Sequence, residues 1–483
     1  MEWPPHLPDA IQKGLLVEAT TFALAHGIAY LPPGQVDTPK DAIHAPFTLL
    51  PTPFPRHLFD EANRLQPAYN DLYSRIACNA GLLDGVLGDE TGIGRIDAFT
   101  GKLWRGWKNL RDQDSIRQPL QLGIFRSDYL VHQLISDTKP SLKQVEFNTI
   151  SSSFGALSNE VAKMHQHLWG HFALQSYAPK ALLPENPVLD QMSSAIASAH
   201  KAYGNAASAV LFVVQPQERN VFDQRLLEYK LLDQFKIRSL RMTLQQLGGL
   251  MSIVEGKLNV PDHGSTASEI AVVYYRAGYT PDDYHSEQDY ETRFMLESSL
   301  AIKCPSIPLQ LAGTKKIQEV LTHSGVLESL FSPDPLSADQ EHLRSTWMDM
   351  WGVGIDGGVE KSRAESEQLV LKPQREGGGN NVYRADIPKF LDQLPPSEYD
   401  AWIAMRLICT PQLQNWMVKA GSGAAVESST ISELGIYGWS LFTTSSSIVA
   451  SGSGGWLLRT KGAESNEGGV AVGISVLDAP LLI

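Results

Sequence analysis

Residues 371–383 read LKPQREGGGNNVY, and they carry the strongest functional signal in the chain. Residues 367–370, EQLV, come directly before this stretch and are typical of a strand, which would place Lys372 at the start of a loop. Three consecutive glycines let that loop approach a ligand closely and point several backbone N–H groups at it. Lys372 suits a phosphate group, and Glu376 suits Mg²⁺. A flexible hairpin tip is the alternative, but the lysine, the carboxylate and the paired asparagines favour a phosphate site.

A second glycine-rich segment with cationic residues lies near the C-terminus. Residues 457–461 read LLRTK, and residues 467–473 read EGGVAVG. Arg459 offers a planar fork for a carboxylate or a phosphate, and Lys461 adds a second positive charge. A surface loop is the alternative for this segment alone. Two such segments in an acidic chain indicate an enclosed anionic substrate that is covered by lids.

A third segment supplies oxygen ligands. Glu146 and Asn148 are two residues apart at the end of a predicted strand, so their side chains lie on the same face. A carboxylate beside an amide oxygen suits a hard cation, although cross-strand hydrogen bonding is the commoner use of such a pair. Arg126, on the preceding predicted strand, would lie beside them. The three segments together predict a Mg²⁺-nucleotide next to a carboxylate substrate, and therefore acyl-phosphate chemistry.

The composition narrows the class of protein. The chain has 483 residues, and 40 Lys+Arg against 53 Asp+Glu give a formal net charge of −13. This balance argues against a nucleic-acid binder, which needs a basic face. We expect no membrane attachment, because no apolar run approaches the ~18 residues of a membrane span. The N-terminus lacks a signal-peptide pattern, and Cys78, Cys304 and Cys409 show no CxxC spacing, so we expect a cytoplasmic protein.

The order of predicted elements divides the chain into three units. The first ~115 residues have the apolar spacing of helices. Residues 206–312 alternate strand, helix and strand, which is typical of a small α/β unit with a parallel sheet. We therefore predict an α/β (α+β) protein with units at 1–205, 206–312 and 313–483. The GxGxxG match at 352–357 does not indicate dinucleotide binding, because a helix-like segment precedes it where a strand is required.

Several long and unusual motifs occur together in one order. They are APFTLLPTPFP, FRSDYL, EFNTISSSFG, QERNVFDQR, VVYYRAGYTP, CPSIPLQLAGTKK, LKPQREGGGNN, ISELGIYG, and LLRTK followed by EGGVAVGISVLD. With them the chain resembles the eukaryotic-type glutathione synthetases over most of its length. That family has an ATP-grasp fold, in which the nucleotide lies between two antiparallel sheets. The resemblance implies that 206–312 is an inserted substrate domain. The mainly helical N-terminal region and the ATP-grasp core would occupy the rest, with a glycine-rich lid at about 340–420 and a C-terminal glycine-rich loop.

The resemblance also implies an activity. The chain would be a ligase, dependent on ATP and Mg²⁺, that joins γ-glutamylcysteine to glycine through an acyl phosphate. This is the second step of glutathione biosynthesis, and the implied assembly is a cytoplasmic homodimer. Two alternatives stay open: a related ligase that uses another acceptor amino acid, and a nucleotide-binding scaffold without activity. No residue is assigned as the base that deprotonates glycine.

The resemblance implies a role for each residue that matches a family motif. The implied Mg²⁺ ligands are Glu146, Asn148 and Glu376, and the implied catalytic residues are Arg126, Lys315, Lys372 and Arg459. The implied ATP contacts are Lys315, Lys372, Gln374, Glu376, Gly377, Gly378, Gly379, Asn380, Asn381, Tyr383, Met405, Ile408, Glu433, Lys461 and Glu467. The implied contacts to γ-glutamylcysteine or glycine are Arg126, Ser151, Ser152, Ser153, Phe154, Glu218, Asn220, Gln224, Arg276, Tyr279, Arg459, Val470 and Ala471.

The chain departs from the family pattern at two of these positions. Residues 405–408 read MRLI where the family often has MEKI, a change that is tolerable if backbone groups bind the adenine. Glu467 stands where an aspartate is usual, which keeps the charge and lengthens the side chain. Neither departure removes a residue that the predicted chemistry needs.

Overall fold

The computed structural model describes residues 3–34, 39–89, 92–172, 174–179, 182–262, 267–375, 379–471 and 473–483. Its α-helices are α1 (Asp9–Ala25), α2 (Arg56–Cys78), α3 (Ala80–Leu87), α4 (Ala98–Asp112), α5 (Gly155–His171), α6 (Val188–Tyr203), α7 (Val221–Phe235), α8 (Leu244–Leu250), α9 (Glu287–Ser298), α10 (Ile307–Ala312), α11 (Lys315–Leu321), α12 (Val326–Phe331), α13 (Ala338–Thr346), α14 (Gly358–Ala364) and α15 (Asp386–Gln393).

Within the described ranges, the strands build three larger sheets and two small pairs. They are β1 (Ala29–Tyr30), β2 (Ile43–His44), β3 (Phe47–Thr48), β4 (Thr52–Phe54), β5 (Leu120–His132), β6 (Ser141–Asn148), β7 (Ala209–Val213), β8 (Ser239–Met242), β9 (Ser252–Val254), β10 (Lys257–Pro261), β11 (Ala267–Tyr275), β12 (Ile302–Cys304), β13 (Met350–Gly352), β14 (Leu369–Pro373), β15 (Val382–Tyr383), β16 (Trp402–Arg406), β17 (Leu413–Val418), β18 (Ala425–Thr443), β19 (Ile448–Gly462), β20 (Val476–Asp478) and β21 (Pro480–Leu482). The architecture is therefore mixed α and β, as predicted.

The largest sheet has seven strands in the order β17-β3-β20-β19-β18-β5-β6, and its pairs are antiparallel except for β20 and β3. Alternate side chains of β5 enter different cores, as the two-residue period of a strand requires. Phe125 and Tyr129 pack into the core that contains α2, whereas Leu122 and Ile124 pack into the core that contains α5 and α6. Hydrophobic cores therefore cover both faces of this sheet at β5.

The second sheet is antiparallel, with the order β13-β16-β14-β15. One face packs on α14 and α15 through residues such as Leu371 and Ile387, and the other carries Val370 and Met405. Strand β13 and helix α14 flank the GxGxxG match at 352–357, so the prediction of a helix directly before it was wrong. The match still lacks the parallel βαβ unit of a dinucleotide site, since β13 pairs with β16 in an antiparallel sheet.

The third sheet lies within residues 209–304. Strands β8, β7, β11 and β12 are parallel neighbours, and the hairpin β9–β10 extends the sheet in antiparallel fashion at β11. Every residue of β7 is buried, which is typical of a parallel strand covered on both faces. Cys78, Cys304 and Cys409 are unpaired. Among the described residues, no helix has both the length and the hydropathy needed to cross a membrane.

Candidate active site

A cavity of about 1640 Å³ lies between the seven-stranded sheet and the four-stranded sheet. The predicted site residues that line it are Arg126, Glu146, Asn148, Ser151, Ser153, Phe154, Tyr279, Lys315, Lys372, Asn380, Asn381, Tyr383, Met405, Ile408, Glu433, Arg459, Lys461, Glu467, Val470 and Ala471. Residues more than 300 positions apart in the chain therefore meet in one cavity.

A fully buried carboxylate, Asp128, organises the cations on the seven-stranded sheet. Its oxygens accept hydrogen bonds from Nε and Nη2 of Arg126 at 2.6 and 2.8 Å, and from Nη2 of Arg459 at 2.9 Å. Arg459 also pairs with Glu433 on the neighbouring strand. A Cβ on Gly435, which lies opposite Asp128, would come within 2.7 Å of both Arg126 and Asp128. Glycine at this position therefore permits the close pairing of the two side chains.

Glu146 and two lysines come together where β6, α11 and β14 meet. Nζ of Lys315 lies 3.6 Å from Oε2 of Glu146, and Nζ of Lys372 donates to the carbonyl oxygen of Val145 at 3.0 Å. Burial alone would raise the pKa of Glu146, but the surrounding cations, chiefly Lys315 and Lys372, lower it to about 2. The carboxylate is therefore ionised throughout the physiological pH range.

This lowered pKa predicts a pH-dependent contribution to stability. The unfolded chain binds a proton at Glu146 below about pH 4.5, whereas the folded chain resists it down to about pH 2. The contribution is thus complete above pH 4.5 and is lost as the pH falls through that interval. We expect Glu146→Gln to unfold more readily than the wild type at pH 7, by up to about 3 kcal/mol, and the difference to shrink toward pH 3. Urea unfolding at several pH values measures it, and a difference that does not change with pH would contradict it.

Glu146 and Asn148 have the donor chemistry of a hard-cation site. Nδ2 of Asn148 donates to Asp128 at 3.0 Å and to the carbonyl oxygen of Arg126 at 3.3 Å, and no described residue donates to its Oδ1. The described ranges contain no group of three or more His, Cys, Asp or Glu that could hold a metal on its own. A cation here would therefore need further oxygens from a bound ligand. Glu376, the third predicted ligand, lies outside the described residues.

The segment 151–154 forms a strained turn at the cavity wall. Ser151 and Phe154 have φ angles of 52° and 71°, in the left-handed region that side chains rarely adopt. The carbonyl oxygen of Ser153 accepts from Nη1 of Arg126 at 3.2 Å and from the hydroxyl of Tyr437 at 2.6 Å. These bonds hold the turn against the sheet, so that its polar groups are presented to the cavity in a fixed orientation.

Some predicted contacts do not line the cavity: Ser152, Gln374, Gly379, Glu218, Asn220, Gln224 and Arg276. Ser152 is buried, and its hydroxyl donates to the carbonyl oxygen of Ile124 at 3.3 Å. Gln374 lines a small adjoining cavity that it shares with Lys315. Four of the five predicted contacts from the 206–312 unit, all except Tyr279, form a separate cluster outside this cavity.

Asp223 joins this cluster to the turn. Nη1 of Arg276 lies 3.2 Å from Asp223, and Nε2 of Gln224 donates to Glu218 at 2.8 Å. Asp223 also accepts from the backbone N–H of Phe154 at 2.9 Å and from the first turn of α5. A carboxylate from α7 thus caps a helix that begins at the cavity wall. A shift in the 206–312 unit would therefore move the turn.

Two loops from opposite sheets touch beside the cavity. The backbone N–H groups of Gly379 and Asn381 donate to the carboxylate of Glu467 at 3.0 and 3.4 Å, and Nδ2 of Asn381 donates to the hydroxyl of Tyr383 at 3.2 Å. Burial, together with the charge of Glu467, raises the pKa of Tyr383, whereas burial lowers the pKa of Lys461. The predicted contacts Glu376, Gly377 and Gly378 lie outside the described residues.

The far end of the cavity is apolar and suits a flat ring. Met405 and Ile408 line it together with Val370 of the same sheet. Arg406 also lines the cavity, and it forms an ion pair with Glu365 at 2.8 Å and donates to Oε1 of Gln368 at 3.0 Å. The unusual arginine of the 405–408 segment is thus engaged within its own unit.

Sequence reasoning missed two carboxylates that position the site. Asp128 stands two residues after Arg126 in the FRSDYL motif, so the spacing placed both on one face of a strand. This signal was available, since a buried arginine needs a partner. Asp223 had no comparable signal, because its contacts to Phe154 and Arg276 depend on how two distant segments pack.

The comparisons with known proteins agree over almost the whole chain. Residues 9–482 match the family model described as the eukaryotic glutathione synthase, ATP binding domain. The chain is 37% identical to the glutathione synthetase large chain of Schizosaccharomyces pombe, with 99% of each chain covered. It is also 37% identical to the glutathione synthetase of Homo sapiens, covering 99% of this chain and 98% of that one. A solved structure of a glutathione synthetase-like effector from Globodera pallida superposes with a TM-score of 0.78 at 22% identity, covering 99% and 98% of the two chains.

Proposed function

Because the chain belongs to the eukaryotic glutathione synthetase family, we propose that it ligates γ-glutamylcysteine to glycine with ATP to form glutathione. One observation carries the proposal: the cavity between the two sheets brings Lys315, Lys372 and Glu146 together beside Arg459. The two lysines, from α11 and β14, suit the phosphate oxygens of a triphosphate, and the carboxylate of Glu146 suits its metal ion. We therefore interpret the fold as an ATP-grasp fold, with the four-stranded unit as part of its lid.

The proposed reaction has two steps. A carboxylate oxygen of γ-glutamylcysteine attacks the γ-phosphorus of ATP, the bond to the β,γ-bridging oxygen breaks, and ADP leaves. The amine nitrogen of glycine then attacks the acyl carbon, phosphate leaves with the bonding electrons, and the nitrogen loses its proton. Lys315 and Lys372 would bind phosphate oxygens, and Arg126 and Arg459 would hold carboxylates and stabilise the developing charge.

Mg²⁺ is part of the proposal, because Glu146 and Asn148 fit it. Glu146 and Asn148 would hold the ion, which would neutralise phosphate charge when bound. Glu376 is the third proposed ligand. The apolar end formed by Met405 and Ile408 would hold the adenine, with Gln374, Gly377–Gly379, Asn380, Asn381, Tyr383, Glu433, Lys461 and Glu467 as the remaining nucleotide contacts.

The acceptor side is proposed to hold a small amino acid. Val470 is buried beside the glycine-rich loop, and Ala471 follows it in the cavity wall. The turn 151–154, with Tyr279 and the cluster of Glu218, Asn220, Gln224 and Arg276, would hold the dipeptide. One extra methylene on the acceptor changes the discrimination between two amino acids by only ~1–3 kcal/mol. The identity of the acceptor as glycine is therefore the most specific part of the proposal.

The test is phosphate release from ATP in the presence of Mg²⁺, measured with each substrate omitted in turn. Release that requires both γ-glutamylcysteine and glycine supports the ligase. Its absence in folded protein would favour a nucleotide-binding scaffold. Turnover with β-alanine or serine above that with glycine would retain the ligase and overturn the acceptor.

We also propose a cytoplasmic homodimer. Large apolar side chains are exposed on α1, at Val17 and Leu24, and on α7, at Tyr229 and Leu232. A Cβ on Gly27, which follows α1, would lie 3.9 Å from Leu226 of α7, so the two helices approach each other there. Exposed apolar patches are typical of protein interfaces. The unpaired cysteines fit a reducing compartment.

Tyr229→Lys tests the dimer, because a charged side chain would have to be buried in the interface. We expect the wild type to elute as a dimer in light-scattering chromatography and the variant to shift toward the monomer. Tyr177→Lys is the matched control, since Tyr177 is also an exposed tyrosine but is part of neither α1 nor α7. A dimer that persists unchanged in Tyr229→Lys would contradict this interface.

A further inference from the structure

The end of β14 is tied to two other parts of the molecule. Oε1 of Gln374 accepts from the backbone N–H of Lys316 at 3.0 Å, and its Nε2 donates to the carbonyl oxygen of Ala401 at 3.3 Å. Arg375 forms an ion pair with Asp97, and its Nη1 also donates to the carbonyl oxygen of Gln374 at 2.7 Å. The two residues that follow this strand are therefore anchored through their side chains.

Asp97 is a rigid partner for this arginine. It is 6% exposed and precedes α4 as its N-cap, where Oδ1 accepts from the backbone N–H of Thr100 at 2.8 Å. Its other oxygen, Oδ2, accepts from Arg375. Helix α4 packs on α9 and α10, so the carboxylate is fixed to the body of the protein. Thr100 also shares a cavity of about 40 Å³ with Lys315 and Gln374, which places this helix end next to Lys315.

We propose that Arg375 is a positioning residue, whose ion pair with Asp97 holds the end of β14, and hence Lys372, in register with Glu146 and Lys315. The inference rests on the proposed ligase function, because it assigns Lys372 to the phosphates. Arg375 also lines the large cavity, so direct contact with a phosphate is the competing interpretation. Such contact would draw the guanidinium from Asp97 and leave a buried carboxylate without its charge partner, which is unfavourable. The observed geometry therefore favours positioning.

A double-mutant cycle separates the two interpretations. Asp97→Asn removes the charge but keeps an oxygen that caps α4, and Arg375→Ala removes the guanidinium. We expect each variant to lower kcat/KM for ATP by about tenfold or more, with KM for γ-glutamylcysteine and for glycine unchanged. The double variant should lose no more than the worse single variant, because both remove one interaction.

The control is Arg95→Ala, which breaks another ion pair, to Asp400, between the N-terminal helices and the four-stranded unit. That pair is exposed, at 49% and 43%, so we expect rates close to wild type. Wild-type rates in Asp97→Asn beside a loss in Arg375→Ala, or additive losses in the double variant, would overturn the proposal.

Two further measurements keep the test decisive. Thermal unfolding checks each variant, and if Asp97→Asn does not fold, Asp97→Ser supplies a capping oxygen that is too short to reach Arg375. That variant must show the same loss, and wild-type rates in it would overturn the ion pair. Calorimetric titration with ATP and Mg²⁺ gives a second readout, in which we expect about tenfold weaker binding. These measurements distinguish a failure of the proposed function from a failure of the positioning role. Wild-type protein that binds ATP but does not ligate the substrates would refute the proposed function. Equal ATP affinity in the wild type and all variants would refute the positioning role of Arg375.

Discussion

Glu146→Gln is expected to lower the rate of substrate-dependent phosphate release by between about a hundredfold and a thousandfold. The carboxylate lies 3.6 Å from Lys315, and the surrounding cations keep it ionised by lowering its pKa to about 2. The amide keeps the shape of the side chain but removes the negative charge that would hold Mg²⁺ against the phosphates. The measurement is a Mg²⁺ titration of turnover. We expect a much higher metal requirement and a lower maximal rate.

The matched control for this prediction is Glu61→Gln. Glu61 is similarly accessible, with 22% of its side chain exposed against 27% for Glu146, but it accepts a hydrogen bond from His342 at 2.7 Å, and it does not line the cavity. The control should retain wild-type turnover and metal dependence. If Glu146→Gln shows an unchanged Mg²⁺ dependence, the metal is held elsewhere.

The site could be predicted from the sequence where a short segment contains both the geometry and the chemistry. Glu146 and Asn148 share a strand face, so their joint presence in the cavity follows from a two-residue spacing. Arg459 and Lys461 follow the same rule on β19. In these cases the local backbone determines which way each side chain points. Only the position of the strand within the sheet depends on tertiary structure.

The cluster around Asp223 could not be predicted in this way. Its bonds to Phe154 and Arg276 join residues 69 and 53 positions away, so they depend on tertiary packing. Ser152 illustrates the same limit, because a neighbour of two cavity-lining serines turns into the protein and bonds to Ile124.

For the fold as well, one part was predicted from the sequence and another was not. The buried strand pattern of 209–213 and the helix after it predicted a parallel α/β unit, and the hydrogen-bonded order β8-β7-β11-β12 is parallel. The helix predicted directly before 352 was wrong, because α13 ends at Thr346 and β13 begins at Met350. Partnership with β16 overrides the helical pattern of that short segment, as tertiary contacts often override local propensity.

Lys315→Met is expected to lower turnover by about a hundredfold or more and to raise KM for ATP. Lys315 is 7% exposed at the start of α11, where its ammonium group faces Glu146 in the cavity. Methionine keeps most of the apolar length of the side chain, so the variant removes charge with little change in packing. Steady-state kinetics with ATP as the varied substrate measure both effects.

The next residue, Lys316, supplies the control. It is also a lysine, but its side chain points in a different direction from that of Lys315. Its Nζ pairs with the fully buried Glu319 at 2.7 Å, and its side chain does not line the cavity. Lys316→Met should therefore lower the thermal stability, since Glu319 loses a charge partner, and should leave kcat within about threefold of wild type. His323, which also bonds Glu319 at 2.8 Å, limits that loss of stability. Equal losses of turnover in the two variants would mean that the charge of α11 as a whole, and not the contact of Lys315 with Glu146, sets the rate.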